Sequence, residues 1–80
     1  MQQRVRRDVA SRIRDVAVRL DALLSLSREH RTVIVRSYYL GQSGAEIARH
    51  EQIAEGTVKS RCHYALRALR IALQERGVVR

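Results

Sequence analysis

The sequence predicts a small all-α domain built from four main helices, and three observations carry the prediction. The first is spacing. In the stretch from Glu55 onward, Val58, Cys62, Ala65, Leu66, Leu69 and Leu73 are separated by four, three, one, three and four positions. At about 100° per residue, that puts them along one side of a helix. The second is punctuation: Ser27 and the Ser43-x-x-Glu46 pair read as helix starts, Gly41 and Gly77 as stops. The third is composition. There is no Phe, Trp or Pro, and apolar content comes mainly from Ala, Val, Leu and Ile, so the core is thin and helical. Eighty residues make one small domain at most. Chains of this size are often marginally stable alone, which favours help from a partner or a further domain.

Residues 1–24 read as a basic amphipathic helix, or as a linker from an upstream domain. Val5, Val9, Ile13, Val16, Leu20, Leu23 and Leu24 follow helical spacing, with Arg4, Arg7, Arg12, Arg14 and Arg19 between them. Such a helix suits a partner's groove or a membrane surface, but its apolar side lacks Trp and Phe, which weakens the membrane reading. Ser25-Leu26-Ser27 breaks the pattern. Ser27 is a good N-cap, and Glu29 in the first turn suits the helix dipole. The second helix is expected to reach about Leu40 and to bury Val33, Ile34 and Tyr38, with Tyr39 at the rim.

Ser43 and Glu46 form a capping box that opens a third helix of about two turns, with Ile47 and Ala48 facing inward. Glu51–Ala54 makes the connection, anchored by Ile53. Glu55 opens the last helix, which ends at Arg76-Gly77, and Val78 and Val79 are placed to fold back on it. A short capped helix, a tight turn and a longer basic helix make a C-terminal helix-turn-helix. The expected organisation is 1–24 for the first helix or linker, 25–77 for the helix-turn-helix domain and 78–80 for a tail.

Charge points to a polyanion. Sixteen basic residues stand against eight acidic ones, for a net charge of +8, and fifteen of the sixteen are Arg. The excess sits at both ends: residues 1–24 carry six basic and three acidic groups, and residues 55–80 six and two. Nucleic acid or an acidic membrane surface fits this balance, and arginine favours bidentate contact with phosphate or guanine. On the last helix Ser60, Tyr64 and Arg67 oppose the apolar stripe, with Lys59, His63 and Arg70 at the flank. That pattern suits a helix laid in a major groove; the alternative is a merely solvated basic face.

Other chemistries find little support. The single cysteine, Cys62, falls on the apolar stripe and reads as a small core residue in a reducing compartment. His30, His50, His63 and Cys62 lack metal-ligand spacing, so no metal or cofactor is expected. No Gly-rich phosphate loop or nucleophile–base set stands out, which argues against an enzyme. No apolar run exceeds three residues, too short to span a membrane, and no secretory signal opens the chain.

The residues also resemble a known family. Leu26-x-x-Glu29-x-Arg31-x-Val33, Tyr39-x-Gly41-x-Ser43, Glu46-Ile47-Ala48, Ile53, Glu55 through Arg61 (EGTVKSR) and Ala65-Leu66-x-x-Leu69-Arg70 are similar to region 4 of bacterial sigma factors of the extracytoplasmic-function group. The resemblance covers roughly residues 20–72, and EGTVKSR is its most specific string. It implies a cytoplasmic domain that reads the promoter −35 element, docks on the flap of the RNA polymerase β subunit and is held in check by an anti-sigma factor. No homo-oligomer is expected. By the same resemblance Lys59, Ser60, His63 and Tyr64 meet base edges or nearby backbone, while Thr57 and the amides of Ser43, Gly44 and Ala45 meet phosphates. Arg67 is read as a phosphate contact, and Arg61 either contacts phosphate or pairs with Glu46.

Three positions depart from the family. Ser27 stands where Pro is usual, Glu51-Gln52 where the turn often has Leu-Gly, and Tyr64 where Arg is common. Gln52 therefore needs a costly left-handed backbone or a different turn. Tyr64 is placed to touch a thymine methyl or a phosphate instead of reading a base as Arg would. The pattern of the promoter-melting sigma region is missing, so the chain alone is not expected to start transcription. Two alternatives stay open: a response-regulator output domain, which shares Leu-Ser-Arg-Glu and Thr-Val-Lys, and a protein-interaction module that does not itself read DNA.

Overall fold

The computed structural model describes residues 2–78, with side chains from residue 8 onward. Helix α1 spans Gln2–Leu24, α2 Arg28–Ile34, α3 Gly44–Glu51 and α4 Glu55–Glu75. A π-helical stretch, Val35–Tyr39, continues α2. All regular structure among the described residues is helical.

The starts follow from side-chain chemistry. Ser27 Oγ accepts from the His30 amide at 3.3 Å and caps α2. At α3 both halves of the box are present: the Glu46 amide donates to Ser43 Oγ at 3.1 Å, and the Ser43 amide donates to the Glu46 carboxylate at 3.4 Å. The stops share one device. A left-handed residue, Gly41 (φ 65°), Gln52 (φ 58°) or Gly77 (φ 75°), turns the next amide back onto the helix. Gln42 thus bonds the Arg36 carbonyl at 2.9 Å, Ile53 the Ala48 carbonyl at 3.0 Å and Val78 the Leu73 carbonyl at 2.9 Å. The last two are six-to-one closures, and the first, which follows the π stretch, spans one residue more; all satisfy carbonyls that a helix end leaves open. Val78 folds back as expected, whereas Val79 lies outside the described residues. The last carbonyl of α1, on Leu24, accepts from the Arg31 guanidinium at 3.1 Å.

Helix α4 is the spine, packing against α1, α2 and α3. The core joins Leu23, Val33, Ile34, Ile47, Ala48, Val58 and Ala65, with Leu26, Val35, Ile53, Cys62 and Leu69 around them. Val33 and Ile47 are fully buried, each contributing about 1.5–3 kcal/mol.

Two expectations about burial are corrected. Leu66 is 40% exposed, because the contact seam of α4 is narrow. Val58, Ala65 and Ala72 are buried and Cys62 and Leu69 half-buried, a strict four-three alternation that leaves Leu66 a step off the seam. Tyr38 is 61% exposed rather than in the core. It sits where the backbone widens into π register, with the Leu40 amide bonding the Val35 carbonyl, and this shifts the phase that α spacing from Ile34 predicts. Tyr39 lies further out at 74% exposure. Ala22 and Ala72, which the apolar pattern did not single out, are buried. The ion pair Arg76–Asp21, at 2.9 Å, ties the end of α4 to α1.

Only the last turn of α1 is held by the rest of the domain. Ala22 and Leu23 are buried and Val18 half-buried, whereas residues 8–17 are all exposed. The molecule is accordingly long, 52 × 23 × 17 Å, with a radius of gyration of 15.6 Å. A compact chain of this length would give about 12 Å.

Candidate nucleic-acid interface

The helix-turn-helix unit runs from Ser43 to the end of α4. Its turn is set by Gln52, whose φ of 58° and ψ of 46° are left-handed without glycine. The sequence left two outcomes open there, and the structure takes the strained one. Ile53 then tucks against the core, and Ala54 enters α4 in extended conformation. Ala54 offers no side-chain cap, so the first amides of α4 have no side-chain acceptor at that end. At α3 the Ser43 amide is engaged by Glu46, while Gly44 and Ala45 sit in the first turn, where the helix itself supplies no acceptor.

Burial of Val58, Ala65 and Ala72 fixes the rotation of α4 and so decides which side chains face outward. Lys59, Ser60, His63, Tyr64, Arg67 and Arg70 are all exposed, as is Thr57 in the first turn. His63 and Tyr64 stack edge to face, with centroids 5.4 Å apart and planes at 77°. Arg61 is half-buried. The Arg61–Glu46 ion pair, one of two readings of Arg61, is not formed; Glu46 is occupied in the capping box. Among the described residues the two ion pairs are Arg36–Glu51 and Arg76–Asp21, so Lys59, Arg61, Arg67 and Arg70 are left uncompensated.

Sequence reasoning missed Arg36. Its guanidinium reaches Gln42 Oε1 at 3.3 Å and His50 Nε2 at 2.8 Å, with the Glu51 carboxylate 3.8 Å from Nε. It therefore fastens the start of the π stretch to the last turn of α3. No motif announces such a residue, because its partners lie six to fifteen positions away. Burial raises the Cys62 thiol above its ordinary pKa, in keeping with its place at the core edge. Among the described residues no His, Cys, Asp or Glu cluster is arranged to hold a metal ion, and no helix is long and apolar enough to cross a membrane.

A short capped helix, a tight turn and a longer helix that turns basic side chains outward define a DNA-binding helix-turn-helix domain. The comparisons narrow the class. Residues 20–69 match the family described as Sigma-70, region 4, and the chain belongs to that family. It is also similar to the ECF RNA polymerase sigma factor SigL of Mycobacterium tuberculosis. In the Erdman and CDC 1551 strains the identity is 68% over 60 residues, covering 75% of this chain and 34% of the relative. The chain thus spans about a third of the length of the curated relatives it matches. The family is a regulatory DNA-binding one rather than an enzyme family, and the match favours sigma over the response-regulator reading.

Proposed function

We propose that this chain is the promoter-reading domain of an alternative sigma factor, with residues 25–77 as the working unit, and that it inserts α4 into the major groove of the −35 element. One observation carries the reading. From Gly56 to Gln74, α4 holds four Lys or Arg and no Asp or Glu, and the outward residues of that run are clear of intramolecular ion pairs among the described residues. A helix with side chains is about 10–12 Å across, which matches a major groove about 12 Å wide.

The roles divide by chemistry. Lys59, Ser60, His63 and Tyr64 read base edges, by hydrogen bonds and by contact of the Tyr64 ring with a thymine methyl. Thr57, Arg61, Arg67 and the amides of Ser43, Gly44 and Ala45 meet phosphates. The Ser43 amide does so only by sharing its proton with Glu46; Gly44 and Ala45 carry the greater part. Phosphate contacts supply most of the affinity, and base contacts choose among promoters. In the cytoplasm of a bacterium the domain docks on the polymerase β flap, and an anti-sigma factor withholds it.

The test is fluorescence anisotropy with a pool of promoter duplexes and a scrambled pool, each at two salt concentrations. Preference for the promoter pool together with a steep salt dependence is expected. Equal weak binding to both pools would show that charge alone attracts DNA and would sink the base-reading assignment.

A further inference from the structure

Arg36 holds α3 at both ends. On the entry side Nη1 donates to Gln42 Oε1 at 3.3 Å, and the Gln42 amide bonds the Arg36 carbonyl at 2.9 Å. Gln42 directly precedes Ser43, the cap of α3. On the exit side Nη2 meets His50 Nε2 at 2.8 Å, and the Glu51 carboxylate lies 3.8 Å from Nε. Arginine only donates, so His50 accepts through a bare Nε2 and carries its proton on Nδ1. Arg36 Nε is buried and has no hydrogen-bond partner among the described residues, so Glu51 balances the charge without taking that proton. A planar fork of donors suits partners spread in this way, whereas a lysine ammonium would not span them.

The exit side leads straight into the strained residue. Gln52 follows Glu51 and takes φ 58° and ψ 46°. A non-glycine residue stays in that region only where the surrounding structure enforces it. Packing supplies little enforcement ahead of the turn: past Ala48, Arg49 and His50 are exposed and Glu51 is half-buried. Arg36 is what grips His50 and Glu51. After the turn, Ile53 packs on the core and its amide closes onto the Ala48 carbonyl at 3.0 Å. Gln52 is thus held between a polar anchor before it and an apolar anchor after it. We propose that Arg36 is a positioning residue for promoter reading: it braces α3 and enforces the left-handed turn, so the angle between α3 and α4 is fixed before DNA arrives. The amides at the head of α3 and the outward row of α4 then meet one duplex together, with no ordering of the turn left to do on binding. The brace acts within the promoter reading proposed above and rests on it; Arg36 itself touches no DNA.

The test is a cycle of variants of the full chain: Arg36→Ala, Gln52→Gly and both together. Glycine takes the left-handed turn without strain and needs no enforcement. Arg36→Ala should therefore weaken duplex binding about tenfold in the native turn and less than about twofold in the Gln52→Gly chain. Deuterium exchange of the Ile53 amide is read without DNA and relative to the Val33 amide, which reports opening of the whole domain. That ratio should rise about tenfold in Arg36→Ala and recover in the double variant. His50→Ala, at an exposed position, removes only the 2.8 Å contact and should give a smaller loss with the same dependence on Gln52; it decides the matter if Arg36→Ala does not fold. Equal loss of duplex binding in both turns would overturn the proposal, and a salt slope lower by about one would then identify Arg36 as a phosphate contact. A lower urea midpoint with duplex affinity and the exchange ratio unchanged would overturn it too, leaving Arg36 a purely structural residue. The exchange arm needs no promoter. Failure of the unaltered chain to tell promoter from scrambled duplexes is therefore a failure of the promoter reading, distinct from a failure of the brace.

Discussion

Gln52 holds a left-handed backbone at the most constrained point of the helix-turn-helix, a conformation costing a non-glycine residue about 1–2 kcal/mol. Gln52→Gly removes that strain but loosens the unfolded chain, so the expected net gain is about 0.5–1 kcal/mol, seen as a higher urea midpoint. Two positions on, Ala54 caps α4 without a side-chain acceptor. Ala54→Asp should stabilise the domain by about 1 kcal/mol yet weaken DNA binding, because the new carboxylate would sit where phosphate approaches. Urea unfolding and duplex titration on one sample check both signs; a parallel rise in stability and affinity would place the DNA elsewhere. At the core edge, the raised Cys62 thiol holds its proton more tightly folded than unfolded. Its contribution to stability is therefore complete below the ordinary thiol range and is lost as pH rises through the raised value. Cys62→Ala should remove that alkaline slope, and thiol-reagent labelling of the folded chain should be slower than that of the urea-unfolded chain.

At the scale of elements, the seam of α4 makes a sharper prediction than its overall apolarity. Ala65 is completely buried, so Ala65→Leu should overpack the core and cost about 1–3 kcal/mol. Leu66→Ala, beside it but off the seam, should cost well under about 2 kcal/mol. Comparing the two chemical-denaturation midpoints decides whether the narrow seam is the true contact. The same contrast explains what the sequence disclosed. Caps and stops were legible because each is local: Ser27, the Ser43–Glu46 pair, Gly41 and Gly77 declare themselves within six residues. The outward set from Lys59 to Arg70 was legible because helical phase alone separates it from Val58 and Ala65. Leu66 and Tyr38 misled because a wheel assigns a broad face, whereas a single neighbouring layer accepts a thin strip and a π turn resets the phase. Ala22, Ala72 and Arg36 were hidden for the opposite reason: alanine carries little hydropathy signal, and Arg36 acts through partners in the following loop and on another helix.

For the whole molecule, an all-helical fold on one spine separates the tasks by place. Replacing Arg67 with alanine should weaken binding to every duplex alike and reduce the salt slope by about one. Tyr64→Ala should reorder the ranking of duplexes with little change in that slope. Salt titrations of both variants on three duplexes check this, and a change of ranking alone in Arg67→Ala would mean the faces of α4 are misassigned. The outward row of α4 has a consequence beyond binding. Lys59, Ser60, His63 and Tyr64 are all exposed, and the aromatic pair is the one contact described among them. Folding therefore places almost no demand on their identity. Under the roles proposed for them, a lineage carrying this domain can exchange these four one at a time and change its promoters while the scaffold keeps its stability, so regulatory networks can be rewired without a detour through misfolded intermediates.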